Sequence, residues 1–138
     1  PCEPLWATYL NLNYFPAYIG SKPPSEKNWK IIKELLTDGN TLIHCTWGVD
    51  RTGAVAGAWN KTIQDIDNDT VLKDYTYKFG GQWLGAEDHN RHLRAWVKNK
   101  TFDPVQRSLV EKSLSSSWKK LALIGSSILA SVLIFRNT

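Results

Sequence analysis

An α/β domain, with a central parallel sheet flanked by helices, is the fold the sequence predicts, and three observations lead there. Thr41-Leu42-Ile43-His44 is short, apolar and β-branched; it lies between two stretches of helical periodicity; and the helix behind it is rich in small side chains that permit close approach to a sheet. The 138 residues can fill one hydrophobic core of ordinary size and not two. The expected organisation is therefore one domain over 1–100, a polar linker over 101–117 and a C-terminal apolar helix over 118–138.

Taken in order, residues 5–19 gather Tyr9, Leu10, Leu12, Tyr14 and Phe15 with a weak alternation that suits a strand followed by an irregular loop. Pro23-Pro24-Ser25 reads as a helix start, because Ser25 can cap and Glu26 falls in the first turn, where negative charge is favoured. Trp29, Ile32, Leu35 and Leu36 then share one face, and the helix ends at Asp38-Gly39. The predicted strand follows, and from Thr52 the run Gly53 to Trp59 is helix-competent, its two glycines needing compensation from packing. Two more helices are expected. One lies near 69–79 with Val71, Leu72, Tyr75 and Phe79 inward, and one near 86–98 with His89, Leu93, Trp96 and Val97 inward.

The net charge of +4 is unevenly placed: residues 1–118 hold fourteen Lys/Arg against thirteen Asp/Glu, and Lys119, Lys120 and Arg136 supply the other three. The basic balance thus belongs to the tail and argues against a nucleic-acid partner. Two cysteines, Cys2 and Cys45, form neither a disulfide framework nor a zinc spacing, which points to a reducing compartment. The first residues lack the basic-then-apolar layout of a secretory signal.

The chemistry concentrates in His44-Cys45-Thr46-Trp47-Gly48-Val49-Asp50-Arg51-Thr52-Gly53. A thiolate that attacks phosphorus must be ionised, must face a phosphate held in line, and needs donors for the equatorial oxygens. If a strand ends at Cys45 and a helix starts near Arg51, the backbone N–H groups of Thr46, Trp47, Gly48, Val49 and Asp50 line an anion cradle at a helix N-terminus. The same field favours the thiolate of Cys45. Arg51 can grip two phosphate oxygens at once, which Lys cannot. Thr52 offers a hydroxyl to the thiolate, and His44 is better placed to orient the loop than to act as a base.

This segment resembles the H-C-x-x-G-x-x-R-[S/T]-G signature of the protein tyrosine and dual-specificity phosphatase superfamily. The resemblance implies Cys45 as nucleophile through a phosphocysteine intermediate, Arg51 as phosphate binder and Thr52 as helper in releasing that intermediate. It also implies a role for Gln82 in positioning the hydrolytic water, and it calls for no cofactor or metal. Two features depart from the family. Its general acid is an Asp on an upstream loop, where this chain has Asn13, 32 positions before Cys45; Glu26 is the best substitute, although a first-turn helix residue explains it more simply. Only 44 residues precede Cys45, so the expectation is either a trimmed fold or a sheet completed by a lost segment or by a homo-oligomer or assembly partner. Thr46, Trp47, Val49 and Asp50 include no Lys or Arg, whereas relatives that act on phosphoinositides tend to carry lysines at such positions, so the resemblance speaks weakly against a polyanionic lipid substrate, and Trp47 could stack on an aromatic one.

Other patterns have plainer explanations. Asp65, Asp67 and Asp69 alternate as in a calcium loop, but Thr70 and Thr76 stand where Gly and Glu are needed, so a solvated loop with a helix cap fits better. His89 and His92 lack a third metal ligand.

The tail LALIGSSILASVLIF, Leu121 to Phe135, is uncharged and is bounded by Trp118-Lys119-Lys120 and Arg136. As a helix it rises only about 22 Å, but flanking Trp and snorkelling cations extend it toward the ~30 Å hydrocarbon core. A single-pass C-terminal membrane anchor over 118–136 is expected, with the domain facing the cytoplasm. The functional expectation is a membrane-anchored phosphomonoesterase acting on phosphotyrosine-like substrates. The alternatives are a pseudophosphatase that keeps the cradle without turnover, or a structural subunit of a membrane-associated assembly.

Overall fold

A computed structural model describes residues 3–17, 19, 22–45, 50–74 and 90–124. Six helices carry the described chain: α1 (Glu3–Tyr9), α2 (Glu26–Thr37), α3 (Asp50–Ile63), α4 (Asn68–Leu72), α5 (Arg91–Lys98) and α6 (Pro104–Ile124). Among the described residues there is no strand, so the central parallel sheet is corrected to a helical assembly. The reason lies at the expected strand and at its expected neighbour. A strand needs a second one to receive its N–H and C=O groups. Residues 5–9, where one was expected, are helical, and Thr41 instead turns its hydroxyl back onto the Leu35 carbonyl at the end of α2 (2.7 Å). Leu42 is 86% exposed, the opposite of a strand covered on both faces.

Local signals account for most helix ends. Ser25 caps α2, its hydroxyl accepting from the Asn28 N–H at 3.2 Å. Gly39 supplies the left-handed backbone (φ +78°) that ends α2. Asp67 caps α4 by accepting from the Asp69 and Thr70 N–H groups, both at 2.9 Å. Asp103 accepts from Val105 and Gln106 at the start of α6, where Pro104 stands as the first helical residue. The end of α1 is a reciprocal closure with Asn11 left-handed (φ 53°): Leu12 N–H donates to the Ala7 carbonyl and Asn11 N–H to that of Thr8.

Helix α3 is the centre of the assembly. It packs on α5 and α6 and touches α4, while α2 lies on α6 and α4 on α5. Its small residues Gly53, Ala54, Gly57 and Ala58 are buried and admit helices, not a sheet, to close approach. Trp29, Ile32, Val55, Val71, Leu93, Trp96 and Val97 complete the core. Trp29 and Trp96 meet edge to face at 5.0 Å, and the Lys100 ammonium lies 5.2 and 4.8 Å from their ring centroids. Burial pushes the Lys100 amine below its ordinary range, with Glu26 pulling it upward and Lys33 adding to the depression. Lys61 is buried and donates to the Asn68 side-chain oxygen (2.6 Å) and the Lys98 carbonyl (2.9 Å).

The stretch read as a polar linker is helical from Pro104 onward. Gln106 ties it to α2 through the Thr37 hydroxyl at 2.7 Å. Among the described residues no helix is long and apolar enough to cross a membrane. That overturns the expected C-terminal anchor and the cytoplasmic orientation drawn from it. The apolar run starts only at Leu121, and within α6 it is preceded by Arg107, Glu111, Lys112, Lys119 and Lys120, so the helix as described is too highly charged. Residues 125–138, most of the expected anchor, lie outside the described residues, as do Tyr75, Phe79 and His89 of the expected helix interiors.

Candidate active site

The candidate site stands where an extended segment meets the start of α3. Thr41 to Cys45 has no regular structure; Ile43 packs against the core and so fixes the approach, His44 is exposed and Cys45 is half-buried. Cys45 is in no disulfide. Thr46, Trp47, Gly48 and Val49 lie outside the described residues, and so does Gln82.

Helix α3 then opens at Asp50, which puts Asp50, Arg51 and Thr52 in its first turn. This is the helix start that the spacing from Cys45 requires, and a first turn presents unpaired N–H groups and partial positive charge. Asp50 contributes a carboxylate to the same end, which suits the helix dipole.

Arg51 is half-buried, and its Nη1 donates to the Ile19 carbonyl at 3.2 Å. A guanidinium has five donors in a fixed fork, so this bond orients the group while leaving capacity for an anion. The residue that accepts from Arg51 is Ile19, 32 positions earlier. Sequence reasoning had no means of finding it, because a backbone carbonyl carries no side-chain signature. Thr52 has its hydroxyl oxygen buried with no hydrogen-bond partner among the described residues. A buried hydroxyl in that state is destabilising unless something else uses it.

The residues weighed as general acid fall elsewhere. Asn13 is exposed in the segment after α1, and Glu26 is an exposed first residue of α2 whose charge acts on Lys100. Asp67 of the acidic cluster is engaged as a helix cap. The hydrogen bonds from Thr70, chiefly backbone and then hydroxyl (2.7 Å), hold its carboxyl below the usual range against a small opposing effect of burial. His92 is exposed on α5.

A family model described as the tyrosine phosphatase family matches residues 21–123, which includes the whole segment from His44 to Gly53 as well as α2 to α5. No curated protein and no solved structure matches the chain.

Proposed function

The chain belongs to the tyrosine phosphatase family, and from that premise we propose that it is a cysteine-dependent phosphomonoesterase. The Cys45 thiolate attacks phosphorus in line; the P–O bond to the leaving group breaks, and that oxygen departs with the bonding pair and takes up a proton. Water then attacks the phosphocysteine, the P–S bond breaks to regenerate the thiolate, and inorganic phosphate leaves. Arg51 binds two equatorial oxygens and the charge that grows on them. The Thr52 hydroxyl donates to the departing thiolate in the second step. His44 supports the loop, residues 46–50 supply backbone N–H groups, and Gln82 positions the water.

The observation that carries this reading is the start of α3. A helix that opens at Asp50, inside a family match covering the signature, gives a phosphate the N-terminal field and the Arg51 fork together. The uncharged loop residues Thr46, Trp47 and Val49 favour an aryl phosphate such as phosphotyrosine over a polyanionic lipid. The test is Cys45-dependent turnover of substituted phenyl phosphates. Release of phosphate by the wild type that is lost in Cys45→Ser supports the proposal, and equal rates in the two forms refute it.

A second reading rests on the missing acid. Asn13 cannot donate a titratable proton, it is exposed, and it precedes the matched segment. Loss of general acid catalysis costs roughly 10²–10⁴ in rate for a poor leaving group. A pseudophosphatase that binds phosphate and turns over slowly would therefore show a steep dependence of rate on leaving-group pKa.

A further inference from the structure

The Arg51 guanidinium is held by an acceptor that carries no charge. Its Nη1 donates to the Ile19 carbonyl at 3.2 Å, and among the described residues no carboxylate forms an ion pair with it. That distinction matters at an anion site. A carboxylate would orient the fork and also cancel its charge, whereas a peptide carbonyl orients it and leaves the full positive charge for a ligand.

The bond also divides the fork. A guanidinium carries five N–H groups, one on Nε and two on each Nη, and Nη1 is the nitrogen on the Cδ side of the plane. The opposite edge, Nε with Nη2, makes no bond among the described residues. Two parallel N–H groups on one edge are the geometry that takes two oxygens at once.

Apolar packing holds Ile19 in turn. It stands in no helix or strand, so no backbone ladder fixes its carbonyl; instead Ile19 and Ala17 are half-buried and pack against the core. An isoleucine is stiff at χ1 because its Cβ is branched, so a seated side chain sets the direction of the backbone that bears it. The core on which Ile19 rests includes Ala54 and Val55 of α3, the helix that presents Arg51 in its first turn. Acceptor and donor therefore share one support, although they stand 32 positions apart. Ile19 precedes residue 21, where the family match begins, so the matched segment does not include this support.

We propose, resting on the phosphomonoesterase reading, that Ile19 is a positioning residue: its packed side chain sets the carbonyl that turns the Nε–Nη2 edge of Arg51 toward phosphate. Misplacing a binding group by about 1 Å costs on the order of 10²-fold in rate. Trimming one packed side chain releases the carbonyl by less, and a loss of roughly tenfold is expected.

The test is a double-mutant cycle on the full chain, read as kcat/KM for a substituted phenyl phosphate. Ile19→Ala and Ile19→Val are made both alone and together with Arg51→Lys, whose ammonium has no edge to orient. Ile66→Ala is the control, since Ile66 also packs partly buried on the core and makes no bond to Arg51. Alone, Ile19→Ala should lower kcat/KM roughly tenfold and Ile19→Val roughly threefold, and both losses should shrink below about twofold beside Arg51→Lys. Ile66→Ala should change kcat/KM by less than about twofold. If Ile19→Ala loses its helical circular dichroism, Ile19→Val carries the cycle. Equal losses with and without Arg51→Lys, no loss at all, or a loss matched by Ile66→Ala would overturn the role of Ile19, while Cys45-dependent turnover in the same assay keeps the phosphomonoesterase reading standing. Absence of Cys45-dependent turnover in the wild type would overturn both.

Discussion

Thr52 carries a hydroxyl that is buried and without a partner among the described residues, and such a group costs about 1–3 kcal/mol of stability. Two roles for it can be separated by Thr52→Val, which keeps the shape and removes the hydroxyl. If Thr52 only packs, the variant gains stability and keeps its turnover. The expected outcome is a gain of about 1 kcal/mol in denaturant unfolding together with a fall in phenyl phosphate turnover of roughly tenfold or more, equivalent to one lost charge-assisted hydrogen bond. Arg51 offers the companion experiment. Arg51→Lys keeps the charge but loses the fork, and it should lower turnover by roughly 10²–10³, the range for removing a preorganised donor of developing charge. At this scale the sequence marks Cys45, Arg51 and Thr52 as candidates by residue type and spacing. It does not mark the Ile19 carbonyl that holds Arg51, because that role depends on where the backbone goes.

Caps and buried bridges decide the helices. Asp67 accepts two backbone N–H groups and the Thr70 hydroxyl, and its carboxyl is held below its ordinary 3.8. A depressed folded-state pKa means that the carboxylate contributes stability above the unfolded value and that this contribution is lost as pH falls through the folded one. Asp67→Ala should therefore lower the melting temperature at pH 7, and the gap to wild type should narrow as pH drops below 3.8. Lys61 joins three helices at once, reaching from α3 to Asn68 of α4 and to the Lys98 carbonyl of α5. Lys61→Met leaves that carbonyl without its donor and should cost about 1–3 kcal/mol in denaturant unfolding. Helix α2 was legible down to its Ser25 cap, because capping and amphipathic spacing are local. Helix α1 was not: its weak alternation also suits a short strand, and the stop signal at Asn11 is a backbone conformation. Lys61 escaped notice because a lone lysine at a helical position ordinarily faces water.

At the scale of the molecule, the motif was local and the sheet was not. Ten consecutive residues could announce a phosphate cradle, whereas a parallel sheet requires partners distant in sequence, and the described residues offer no strand to pair with residues 41–45. The proposed cradle is nevertheless tied to the whole fold. Ile43 packs on the core just before Cys45, and α3, which opens with Arg51 and Thr52 in its first turn, packs on α4, α5 and α6. An anion bound there should stabilise the entire cooperative unit, because a ligand that binds only the folded chain adds RT ln(1 + [L]/Kd), about 2.7 kcal/mol at a hundred times Kd. For a chain of this size, that corresponds to a rise of about 5–10 °C in melting temperature. Inorganic phosphate is the probe, and Arg51→Lys is the control for its general salting effect. Cys45→Ser removes the thiolate on which the proposed mechanism depends, so it should keep the phosphate-dependent rise or enlarge it while abolishing turnover. A rise in wild type and Cys45→Ser that shrinks in Arg51→Lys identifies a working cradle, with or without catalysis. An equal rise in all three would be a bulk effect of the salt, and the site would then be a resemblance in sequence without a phosphate to hold.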